Sequence, residues 1–118
     1  MTTKKFLAIY NGTEAGLEQW KQMDEATRKA RAGAAFKAWT EWATANAAAI
    51  VDQGSPVGKT KRVSREGISD IRNNITAYVI VQAPSHEAAA RLFENHPHFT
   101  VFPGESVEIM EFVSIPGQ

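Results

Sequence analysis

The 118-residue chain predicts one α+β domain, an antiparallel sheet with helices packed on one of its faces. Three observations predict it. Lys4 to Tyr10, Ile75 to Gln82 and Ser106 to Ile115 alternate with the two-residue period of a strand. An alanine-rich stretch from Asp24 to about Ile50 carries Phe36, Trp39, Ala43, Ala47 and Ile50 at three- and four-residue steps, the period of an amphipathic helix. Between the second and third strands, Pro84-Ser85 followed by Glu87, Ala88 and Ala89 has the chemistry of a helix start.

In chain order, the first strand places Phe6, Ala8 and Tyr10 on one face and Leu7 and Ile9 on the other, and Asn11-Gly12 stops it. Thr13 caps a short helix reaching Met23. Asp24 caps the long one, with Glu25 where the helix dipole favours an anion. Trp42 widens the apolar stripe of that helix, for which core packing is the plainer role and ligand stacking the sharper one. Gly54, Pro56 and Gly58 break the chain as a turn, and Lys59 to Ser64 reads as a polar second strand or the arm of a hairpin. Ile68 to Asn74 reads as a polar connection. The strand from Ile75 follows, then the helix capped by Ser85, which Pro97 ends near Asn95 because the residue before a proline is disfavoured in helical geometry. The last strand closes the sheet.

Strand, helix, strand, strand, helix, strand, joined by right-handed crossovers, is a ferredoxin-like βαββαβ plan with both helices on one face. Its aliphatic face (Leu7 and Ile9; Ala77, Val79 and Val81; Val107, Ile109 and Val113) is expected to meet the helices. The mixed face, which carries Phe6, Tyr10, Thr76, Tyr78, Gln82, Glu108, Met110 and Phe112, would be a large apolar patch if uncovered. A homodimer in which two sheets pack together is therefore expected.

Composition excludes several classes of function. Thirteen basic residues balance thirteen acidic ones, so no net field draws nucleic acid or an anionic membrane, and no apolar run approaches the roughly 20 residues of a membrane span. With no cysteine there is no disulfide framework and no thiolate chemistry. The short apolar run Phe6 to Tyr10 is too brief for a secretory leader, so a cytoplasmic protein is expected.

Gly54-Ser55-Pro56-Val57-Gly58-Lys59-Thr60 has three residues between its glycines where a phosphate-binding loop needs four, and it follows a helix rather than a strand. It is read as a turn. Lys59, Lys61, Arg62, Arg65 and Arg72 form a basic cluster, most plainly a solvated edge, with Lys59 and Arg72 as candidates for holding a carboxylate or phosphate. No aromatics interleave with it as single-stranded nucleic acid would require.

The densest chemistry lies in Asn95-His96-Pro97-His98-Phe99 and the turn Phe102-Pro103-Gly104-Glu105. His96 and His98 have three readings: a helix end favouring the dipole, acid–base work with a carboxylate fixing the tautomer, or a metal pair needing a third ligand from Asp70, Glu105 or Glu108. His86 reads simply as a first-turn residue. Glu108, set among Met110 and Phe112, needs a partner or a raised pKa.

The chain resembles the YCII-related (DGPF-domain) family of small dimeric α/β-barrel proteins over nearly its whole length. The resemblance rests on the opening strand ending in Tyr10, Gly54-Ser55-Pro56, the segment from Asp70 to Tyr78-Val79-Ile80-Val81, Ser85-His86-Glu87-Ala88-Ala89 and Ser106-Val107-Glu108-Ile109. The family's Asp-Gly-Pro-Phe loop stands here as Asp70-Ile71-Arg72-Asn73. The resemblance implies a homodimer and small-molecule chemistry by a histidine and an aspartate. With no histidine before His86, that role falls to His96 or His98. The expected site is a cleft beside Asn95 to Glu105, with His96, His98, Asp70 and Glu108 catalytic and Tyr78, Lys59 and Arg72 binding a small organic ligand. No metal and no cofactor are expected. The family's sigma-factor-associated domains imply the alternative, a non-enzymatic regulatory or interaction domain.

Overall fold

A computed structural model describes residues 3–101 and 104–117. Strand β1, Lys4–Gly12, is the centre of the sheet. It pairs antiparallel with β5 (Ile75–Ala83) on one side and with β6 (Gly104–Glu111) on the other. Strand β2 (Ile50–Pro56) adds to the far side of β5, giving the order β2-β5-β1-β6. The protein is thus α+β with a four-stranded antiparallel sheet.

Two helices lie between β1 and β2. In α1 (Glu14–Gln22) the Thr13 hydroxyl accepts from the Gly16 N–H at 2.9 Å, and in α2 (Glu25–Ala45) the Asp24 carboxylate accepts from the Thr27 N–H at 2.6 Å. Both caps are where the sequence puts them. Helix α2 ends sooner than its periodicity suggests, because Ile50 is taken by β2, paired with Val81.

The segment read as a turn is therefore an edge strand. Its register shifts between Ile50 and Asp52 and again between Asp52 and Ser55. Gly54 sits in the second irregularity at φ 66°, where a Cβ would collide with the Tyr78 carbonyl. Glycine and proline here serve a bulged edge, the place in a sheet that tolerates them. The Lys59 to Ser64 segment takes the hairpin alternative: β3 (Thr60–Ser64) pairs with β4 (Gly67–Ile71) as a separate two-stranded sheet. The segment expected as a polar connection thus holds a strand.

Strand β5 leads to α3 (His86–Arg91), whose cap Ser85 accepts from the Ala88 N–H at 3.1 Å. The chain then turns through Asn95, at φ 58°, into a single turn of helix, α4 (Pro97–Thr100), which the sequence did not suggest.

The core lies on one face. Cross-strand pairs Phe6–Val81, Ala8–Val79 and Tyr10–Ala77 are buried beneath Ala89 and Phe93, with Trp39 and Trp42 of α2 packed alongside. Each such large side chain taken from water contributes roughly 1.5–3 kcal/mol. For β1 this reverses the expectation: Phe6 and Tyr10 face the helices, and Leu7 and Ile9 face away with Tyr78, Ile80, Glu108 and Met110. Both parities of β1 are apolar, so alternation alone could not choose, whereas the register to β5 does. Strand β6 ends at Glu111, leaving Val113 81% exposed rather than under the helices. Glu111 keeps the helix-face parity but lies at the sheet end, ion-paired to Lys4 at 3.4 Å.

Candidate functional site

Both loop histidines turn inward. Asn95, in the left-handed region that asparagine tolerates, reverses the chain so that His96 caps α4 from within the core. Its Nδ1 accepts from the His98 backbone N–H at 3.0 Å, and its Nε2 lies 3.0 Å from the Tyr10 hydroxyl. An imidazole nitrogen that accepts from a backbone N–H carries no proton, so the neutral ring holds its hydrogen on Nε2 and donates it to the Tyr10 oxygen.

The His96 ring meets Trp42 at 4.4 Å and Trp39 at 4.8 Å, both edge-on, and it is fully buried. Burial, helped by the neighbouring His98, lowers its pKa to about 4. Burial likewise pushes the Tyr10 phenol well above its usual range. The helix-end reading of His96 fails on this geometry, because a cation there would be desolvated and would set two donors against each other.

His98 is almost as deep, at 4% exposure, and its Nε2–H donates to the Asn11 carbonyl at 2.7 Å. Burial lowers its pKa, opposed by backbone hydrogen bonds with Asn11 and Ser106 that favour the charged ring. The imidazole lies so close to Gly104 that any Cβ there would overlap it. That explains a glycine opening β6. The neighbouring Phe102 and Pro103 lie outside the described residues.

Beside His98 opens a cavity of about 930 Å³ between the sheet and helices α1 and α2. Ala32 and Ala43 of α2, and Ala47 just beyond its end, are too small to fill the gap and leave it lined by Trp20, Phe36, Trp39 and Trp42. Ala77 and Val79 form its floor on the sheet, and Thr13, Thr40, Gln53, Ser55 and Thr76 supply uncharged polar groups. Among the described residues the wall holds no aspartate, glutamate, lysine or arginine, and His98 is its one titratable side chain. Trp42 is fixed by its indole N–H, which donates to the Leu92 carbonyl at 2.9 Å.

The residues singled out in the sequence fall into three separate places. His96 and His98 meet on the helix face. Tyr78 and Glu108 both pair with Ile9, so they stand in one row on the opposite face of the sheet, away from the histidines. Asp70 lies on the hairpin, 81% exposed and 2.7 Å from Lys61, where it lines a second cleft with Lys59 and Arg72. The expected histidine–carboxylate arrangement is therefore not formed: backbone groups and a tyrosine take the place of the carboxylate in fixing the histidine rings. Among the described residues no three histidine, aspartate or glutamate side chains are grouped to hold a metal.

His86, read as a plain first-turn residue, has a packing role. Its Nε2 is 2.7 Å from the Ile109 carbonyl and its ring stacks on Phe6 at 5.1 Å. The sequence did not single out Trp20, and it assigned neither Tyr10 nor Gly104 a role in the site. The signal that was present is the placement of all three tryptophans in or beside the alanine-rich helices, where aromatic surface and missing volume coincide. No family model matches the chain, and no curated protein matches it in sequence.

Proposed function

We propose that the protein binds the apolar body of a small organic molecule in the tryptophan-lined cavity, as a homodimeric ferredoxin-like domain of the YCII-related type. The observation that carries this reading is the cavity wall, aromatic and without a fixed charge among the described residues. Its volume of about 930 Å³ falls within the roughly 300–1,000 Å³ of small-molecule sites, and its isolated hydroxyls and amide are the means by which such sites orient a ligand.

Binding without turnover is favoured over catalysis. The nitrogens of His96 are committed to Tyr10 and to the backbone, and Nε2 of His98 is committed to Asn11, with no carboxylate hydrogen-bonded to either ring among the described residues. A general base needs a nitrogen within reach of a substrate proton. The sheet order supports the ferredoxin-like plan once the β3–β4 hairpin is taken as an insertion. The outer sheet face with Leu7, Ile9, Tyr78, Ile80 and Met110 supports a second copy packing against it.

Calorimetric titration with apolar aromatic probes tests the cavity. Phenylbutyramide is expected to bind the protein and to lose at least about tenfold in affinity when Ala43→Phe fills the void, since that loss corresponds to only 1.4 kcal/mol. Equal binding by both proteins would remove the cavity from consideration.

A further inference from the structure

We infer that the ligand is an amphipathic anion, with its apolar body in the tryptophan cavity and its carboxylate or phosphate in the adjoining basic cleft. This rests on the cavity reading above and adds the chemistry of the head group. The second cleft, about 840 Å³, runs between α1 and the β3–β4 hairpin, and it shares Leu17 and Thr76 with the wall of the first. The two clefts therefore adjoin at those two side chains, and the proposed ligand would lie across them.

The two lobes are opposite in character. The first has no fixed charge among its described wall residues. The second is lined by Lys21, Lys59, Lys61 and Arg72 against one carboxylate, Asp70. Asp70 is taken by Lys61 at 2.7 Å, and Lys21 has Glu18 at 3.9 Å. Lys59 and Arg72 have no ion-pair partner among the described residues, so two cations face the cleft uncompensated. Asn73 and Thr60, also in its wall, are joined by a hydrogen bond of 3.3 Å that holds the Arg72 segment against β3. Cations of this kind select an oxyanion and leave a neutral analogue without its main polar contact.

Matched probes separate this inference from the reading beneath it. Phenylbutyrate and phenylbutyramide have the same apolar body and differ in charge. Calorimetry is expected to show the acid binding about tenfold more tightly than the amide at low salt, the advantage shrinking as salt screens the cleft. In the Lys59→Gln/Arg72→Gln variant the two are expected to bind within about twofold of each other, with amide affinity unchanged, because both substituted side chains are exposed and away from the cavity. Amide binding then also reports an intact fold. Binding of the amide without preference for the acid, or a preference that survives the double substitution, overturns the anionic head group and leaves the cavity reading standing. Binding of neither probe overturns both.

Discussion

The Tyr10 hydroxyl and the Nε2 of His96 lie 3.0 Å apart beneath Trp39 and Trp42, tying the central strand to a loop 86 residues further along the chain. The contact is buried, and its geometry admits one tautomer of the imidazole. It joins the end of the sheet nearest the cavity to the segment that delivers His98 into the cavity wall.

Removing the acceptor leaves a buried imidazole N–H with nothing to bond. Tyr10→Phe is expected to lower stability by about 1–3 kcal/mol, the usual cost of such an orphaned donor. A urea midpoint that falls with unchanged m-value would show it.

Acid should destabilise the protein through the same ring. Unfolded, His96 takes up a proton below its ordinary pKa of 6.5, and folded it does so below about 4. Between those values the unfolded chain binds more protons, so stability is fully present above pH 6.5 and is lost as pH falls toward 4. The loss from pH 7 to pH 5 is expected to be about 2 kcal/mol from His96, with His98 adding in the same direction. Urea unfolding at the two pH values measures it. His96→Gln should flatten the dependence even though it lowers the plateau.

Gly54→Ala meets two obstacles, the positive φ and the Tyr78 carbonyl. A loss of about 2 kcal/mol or more is expected, together with weaker binding of cavity probes because β2 must shift. A thermal midpoint unchanged from wild type would mean that the bulge is not needed.

In the proposed dimer, Ile9→Glu would place a carboxylate in the middle of the packed sheets, between Tyr78 and Glu108. Light scattering at micromolar concentration is expected to give twice the chain mass for wild type and the monomer mass for the variant. A wild-type monomer would refute face-to-face packing.

Much of the fold was legible where short-range chemistry decides it. Thr13, Asp24 and Ser85 cap helices because their side-chain oxygens reach the first free N–H groups, and that signal is local. Strand β5 was legible because its alternation runs unbroken. What was not legible depends on partners distant in sequence. Gly54 and Pro56 look the same in a turn and in a bulged edge strand until the Tyr78 strand is placed beside them. Phe6 and Leu7 are equally apolar, so the register to β5 alone says which is buried.

The candidate site was legible to the extent of two histidines. Their partners were not. His96 and His98 were singled out as rare titratable groups, but Tyr10, at the far end of the contact, looks like any strand aromatic. Glu108 follows Val107, the β6 partner of Tyr10, and so lies on the wrong side of the sheet, a separation set by one residue of parity.

All three tryptophans of the chain border one cavity, so the protein's tryptophan emission arises entirely from its wall. If the cavity binds a ligand as proposed, the molecule carries a built-in optical gauge of its own occupancy. An apolar guest that shields the indoles from solvent should shift this emission toward the blue without any added label.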